Sequence, residues 1–121
     1  MESQNIVKIA ANALNSKKAK QLKVLQIDAI TTLADYFVIA TATSSTHVRA
    51  LADEVEEKLK EASLEPHHIE GKTTGWIVLD YESVVVHVFT PNEREFYNLD
   101  SMWSDATEID LSTILDEAEG D

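Results

Sequence analysis

No cysteine occurs in the 121-residue chain, which excludes a disulfide framework, a Cys-ligated zinc site and a thiol nucleophile, and suits a reducing compartment. Glycine and proline are scarce, three and two residues, so a collagenous or Pro/Gly-rich disordered chain is excluded as well. Long apolar runs are missing: the longest, Tyr36 to Ala42, is far short of the ~20 residues that cross a bilayer. The chain opens Met-Glu-Ser-Gln-Asn, without a basic segment ahead of an apolar stretch, so no signal peptide is read and a cytoplasmic protein is expected. Basic residues are also few, ten Lys and Arg against 22 Asp and Glu, for a net charge of −12. A domain this acidic is repelled by bare phosphate backbone, which excludes direct sequence-specific nucleic-acid binding as the expected role and favours a basic protein partner. The charge is uneven: residues 1–23 hold five lysines against Glu2, so the remainder carries −16.

What is present fits one globular domain with a sizeable core. Residues 3–15 place Ile6, Ile9, Ala10, Ala13 and Leu14 at helical spacing. Lys17 and Lys18 follow, where cations suit a helix C-terminus. Lys23 to Asp28 reads as a short strand, and Ala34 to Ala42, apolar on both faces, as a central one. Thr43-Ser44-Ser45 offers N-cap oxygens to a helix whose stripe is Val48, Leu51, Ala52, Val55, Leu59 and Ala62, with Glu54/Lys58 and Glu56/Lys60 in the favourable i,i+4 order. Pro66 stops it. His67 to Glu70 reads as an edge strand, Lys72 to Gly75 as a loop, and Trp76–Tyr81 with Val84–Phe89 as a hairpin. Pro91 starts another helix, and a helical turn spans Leu99 to Trp103. The expected fold is α/β: a single mixed sheet with helices packed mainly on one face, over residues 1–104. From Ser104 on there are seven acids and no base, and residues 105–121 are expected to form a solvated tail.

The hairpin is the most informative segment. A two-residue loop pairs Tyr81 with Val84, Asp80 with Val85, and so on to Trp76 with Phe89. Directly opposite residues share a face. Ile77, Leu79, Tyr81, Val84, Val86 and Val88 then form an apolar face for the helices. Trp76, Val78, Asp80, Val85, His87 and Phe89 form a mixed one. Asp80 and His87 stand diagonally, close enough for a local hydrogen bond. Trp76 is either a core residue, under the N-terminal helix or the tail, or an interface anchor, since large aromatics dominate both settings.

Chemistry is thin. Adjacent His67 and His68 point to opposite faces of a strand, so at most one joins Glu70, and no metal site is expected. The Thr43–Thr46 hydroxyls suit an N-cap better than an anion site, because no glycine-rich loop accompanies them. No serine lies in a nucleophile elbow. No catalytic residue, metal or cofactor is assigned.

Leu33-Ala34-Asp35-Tyr36-Phe37-Val38-Ile39-Ala40, Thr43-Ser44-Ser45, Glu70-Gly71, Trp76 to Tyr81, Val84 to Phe89, Arg94-Glu95-Phe96-Tyr97 and Leu99 to Trp103 together resemble the ribosomal silencing factor, or Iojap, family over residues 3–104. The resemblance implies a nucleotidyltransferase-like α/β domain that binds ribosomal protein fourteen of the large subunit and blocks subunit joining, repressing translation; organelle relatives act in large-subunit assembly. It lacks the Gly-Ser motif and paired strand carboxylates of true nucleotidyltransferases, so that enzyme class is the alternative. The partner-binding residues expected are Trp76 as anchor with Tyr81, Asp80 and Glu70 nearby. A homodimer is also compatible with this reading.

Overall fold

The computed structural model describes residues 1–71 and 75–116. Of the expected loop from Lys72 to Gly75, residues 72–74 lie outside these, as do 117–121 of the tail. In chain order the elements are α1 (Ser3–Ser16), β1 (Lys20–Gln26), β2 (Tyr36–Thr41), α2 (Ser45–Glu61), β3 (His68–Glu70), β4 (Trp76–Asp80), β5 (Val84–Phe89), α3 (Pro91–Tyr97), α4 (Leu99–Met102) and β6 (Thr107–Glu108), followed by a 3₁₀ turn at Leu111–Thr113.

The six strands form one mixed sheet in the order β3-β4-β5-β2-β1-β6. The central pair, β2 with β5, runs parallel; its neighbours are antiparallel. Every residue of β2 is buried, which is why that strand carries no apolar–polar alternation. The hairpin register follows parity residue by residue, from Trp76 opposite Phe89 to Asp80 opposite Val85. Its turn is closed locally. Asp80 Oδ1 accepts the Glu82 N–H at 2.8 Å, and Glu82 takes the left-handed region at φ 74° in place of a glycine.

α1 and α2 cover one face. Their buried stripes, including Ile6, Ala10, Leu14, Val48, Leu51 and Val55, meet Val24, Val38, Ile77, Leu79, Val84, Val86 and Val88. Ser44 caps α2 by accepting the His47 N–H at 3.1 Å. Both helices end in a left-handed residue, Lys18 at φ 65° and Ser63 at φ 68°, with the paired reverse hydrogen bonds of a Schellman turn. The expected i,i+4 pairs on α2 give way to a Lys58–Glu61 pair at 3.8 Å, an exposed contact within reach of the same long side chain.

The other face holds a second core: Leu25, Ile27, Phe37, Ile39 and Phe89, covered by Leu99 and Trp103 from the α3–α4 region and by Ala34.

Against the expectation of a solvated tail from Ser104, residues 107–116 lie on the domain. Thr107 and Glu108 pair with β1, and the Ile109 N–H reaches Val24 O at 2.8 Å. Ile109, Leu111, Ile114 and Leu115 pack against the helix-side core. Asn12 on α1 then holds the chain twice, donating to Ile114 O at 3.2 Å and accepting the Asp116 N–H at 2.8 Å. Four apolar side chains in seven residues outweigh the one acid between them, Asp110, which is exposed.

Candidate docking site

Because residues two apart on a strand share a face, Trp76, Val78, Asp80, Val85, His87, Phe89, Phe37 and Ile39 all lie on the side away from α1 and α2. Aromatic rings run across it in contact. Trp103 meets Phe37 edge-on at 5.1 Å, Phe37 meets His87 at 4.7 Å, and Trp76 stacks on Phe89 at 5.0 Å. Tyr97 of α3 lies 4.4 Å from Trp76, and Phe96 stands edge-on to Tyr97 at 5.0 Å. The series passes from a buried end to an exposed one: Trp76 is half-buried, whereas Tyr97 is 42% and Phe96 78% exposed.

Trp76 is covered by neither the N-terminal helix nor the tail. Its indole donates from Nε1 to His87 Nδ1 at 3.2 Å. His87 therefore turns to the tryptophan rather than to Asp80, the partner expected from the diagonal, while Asp80 Oδ1 accepts the Glu82 N–H at the turn. Accepting at Nδ1 leaves the proton on Nε2, a buried atom without a partner among the described residues. Burial pushes the imidazole down to about 4, so it stays neutral and keeps accepting from Trp76 at ordinary pH. Gly75, just before Trp76, lets α3 approach closely: a Cβ there would stand 2.8 Å from Glu93 Cγ and 2.9 Å from Thr90 Oγ1.

The strand carboxylates gather at the β3–β4 edge. His68 is opposite Asp80 and Glu70 opposite Val78, all on the aromatic side. His68 Nε2 lies 3.3 Å from Glu70 Oε2 and 3.9 Å from Asp80 Oδ2. Trp76 and Asp80 sit at opposite ends of β4, about 13 Å apart along the strand. Tyr81 is separate. It is buried on the helix side, where burial, then Glu56 and Glu65, push its phenol well above the usual range, and its hydroxyl has no partner among the described residues. Among the described residues, no group of three or more His, Asp or Glu is arranged to hold a metal.

Arg94 fixes α3 over this face. Its guanidinium is buried and makes four hydrogen bonds: Nε and Nη2 grip Asp100 at 2.9 Å each, while Nη1 donates to Gln21 O at 2.8 Å and Thr41 Oγ1 at 2.9 Å. Lys23 adds a 3.0 Å contact to the same carboxylate. Arg94, first among these hydrogen bonds, holds Asp100 down at about 2. Phe96 and Tyr97 are site candidates that strand parity does not reach. Their signal is a pair of large aromatics on a seven-residue helix whose buried residue is Arg94.

The profile described as "Ribosomal silencing factor during starvation" matches residues 1–121, tail included. A Bacillus subtilis protein named ribosomal silencing factor RsfS is 38% identical over 112 residues, covering 92% of this chain and 95% of its own. A crystal structure of a Chromobacterium violaceum protein superposes with a TM-score of 0.83 at 37% identity, over 86% of this chain and 88% of that one. A mouse protein named for mitochondrial assembly of the ribosomal large subunit is 29% identical over 102 residues, 81% of this chain and 45% of its own.

Proposed function

The chain belongs to the ribosomal silencing factor family, and from that premise we propose that it docks on protein fourteen of the large ribosomal subunit and so keeps the small subunit from joining. The observation that carries this is the exposed end of the aromatic series, Trp76 with Tyr97 and Phe96, on a protein of net charge −12. Exposed aromatics flanked by carboxylates suit a basic protein surface: charge steers the encounter, and a buried ring holds it.

In this reading Trp76 is the anchor. His87 fixes its indole, Tyr97 and Phe96 widen the contact, and Glu70 and Asp80 are the acidic flank. Tyr81 contributes from beneath, holding the hairpin end in place. A docked domain of this size represses translation by occupying space between the subunits and needs no chemistry of its own.

Co-sedimentation with purified large subunits tests it. Trp76→Ala is expected to leave the protein folded and to abolish co-sedimentation; undiminished recovery with the large subunit overturns the anchor role. The mouse relative's name favours a second reading, large-subunit assembly from the same surface. Depletion then causes immature large subunits to accumulate, whereas silencing alone changes only the proportion of joined subunits.

A further inference from the structure

The acids of this chain are not spread evenly through the fold. Residues 3–27 and 36–52 contain none of the 22, yet hold six of the ten Lys and Arg. These two stretches are α1 with β1, and β2 with the first half of α2, and the structure brings their ends together. His47 Nε2 donates to Lys17 O at 2.8 Å, while its Nδ1 accepts the Thr43 N–H at 2.9 Å. Lys20 is paired with Thr41. One end of the molecule therefore carries the close of α1, the start of β1, the close of β2 and the start of α2.

Lys17, Lys18 and Lys20 are exposed there. Lys8 and Lys23 are matched to Asp116 and Asp100, but none of these three has a carboxylate within ion-pair distance among the described residues. Helix-end electrostatics accounts for Lys17 and Lys18 in part, since cations suit the end of α1. It gives no reason for Lys20, which begins a strand. Lys18 moreover occupies the left-handed C′ position where glycine is unstrained.

We infer that this lysine end, Lys17, Lys18 and Lys20, contacts the phosphodiester backbone of RNA. Net charge governs long-range approach, but a phosphate contact is decided within about 10 Å, the screening length at 0.1 M salt, and there the three lysines keep their charge unpaired among the described residues, with Glu95 of α3 an acid in the neighbouring groove at Gln21. The contact is to phosphates and reads no bases, so it positions the protein without sequence preference. RNA is favoured over another polyanion because the inference rests on the ribosome-docking reading, and a protein docked on the large subunit has RNA beside it. The Lys20 row of the sheet continues through Thr41 and Phe89 to Trp76, three strand spacings or about 14 Å away. Lysine end and aromatic anchor thus lie at the same end of the sheet, and one docking event can engage both.

The test compares the wild-type chain with Lys17→Glu/Lys18→Glu/Lys20→Glu, and with the corresponding triple Gln variant. Fluorescence anisotropy against a short mixed-sequence RNA duplex is expected to show wild-type binding that weakens about 40-fold between 50 and 200 mM salt, the slope for three phosphate contacts. The Gln variant should lose that slope, and the Glu variant all binding. Circular dichroism checks that both remain folded, as surface substitutions should. On purified large subunits the Glu variant should bind more weakly and with less salt dependence than wild type. Wild-type chain that ignores the duplex, a Glu variant that binds it equally, or binding to phosphatidylserine vesicles but not to RNA overturns the inference. Loss of wild-type binding to large subunits would instead sink the docking reading; the duplex result decides the lysine end separately.

Discussion

The two faces of the sheet are closed by different physics. On the helix side, α1 and α2 bury an almost wholly apolar layer, in which the phenols of Tyr36 and Tyr81 are the polar groups of the buried cluster. On the aromatic side the cover is two short helices held by a buried guanidinium, and the layer beneath includes a neutral imidazole. The helix side rests mainly on apolar burial. The aromatic side depends on a few polar contacts, and in exchange leaves rings at the surface where a partner can reach them.

That contrast can be broken from either side. The largest effect is expected at Arg94. Arg94→Ala leaves the Asp100 carboxylate, the Gln21 carbonyl and Thr41 short of a donor, and should cost about 3–5 kcal/mol in urea unfolding. A loss under about 1 kcal/mol would mean that apolar contact alone holds α3. Next comes the helix side: Leu79→Ala, at a fully buried position, should cost about 3 kcal/mol, against about 1 kcal/mol for half-buried Val85→Ala on the opposite face. Equal losses would erase the distinction.

A third test uses acid. His87 has a folded value of about 4 against 6.5 when exposed, so the unfolded chain takes up its proton first. Stability is then full above pH 6.5 and falls as pH drops from 6.5 toward 4, by at most about 1.4 kcal/mol per pH unit. His87→Phe should flatten that segment of a pH-dependent unfolding curve. Asp100, held at about 2, contributes above pH 4 and is lost only between about 4 and 2, so the two groups separate along the titration. The smallest effect is on the helix side. Ser63→Gly relieves a left-handed residue at the end of α2 and should raise stability by about 0.5–1 kcal/mol, visible as a higher urea midpoint.

Legibility in the sequence followed the same division. The helix side rests on periodicities, 3.6 in α2 and 2 in the hairpin, and strand parity carried the register from Trp76–Phe89 to Asp80–Val85 without a slip. The aromatic side rests on meetings between distant residues. Nothing near position 94 announces that Gln21, Thr41 and Asp100 converge on it, and no local pattern takes His87 away from Asp80. The tail reads as solvated because its acids dominate composition, whereas Ile109, Leu111, Ile114 and Leu115 decide where it lies. Of the four proposed contact residues, Trp76, Asp80 and Glu70 share the aromatic side, whereas Tyr81 is near them only in sequence and lies on the helix side, as parity predicts.

The parallel pairing of β2 with β5 has a bearing on how the chain reaches this structure. Tyr36 and Val84 are partners across 48 positions of sequence, and the intervening chain includes all of α2. The antiparallel pairs β1–β2 and β4–β5 are local in sequence, but neither buries its faces until the two meet along that central seam. The entropy of closing the long loop must be met before the seam repays it, so the late, rate-limiting event in folding should be the joining of two preformed ribbons at Val38 and Val86.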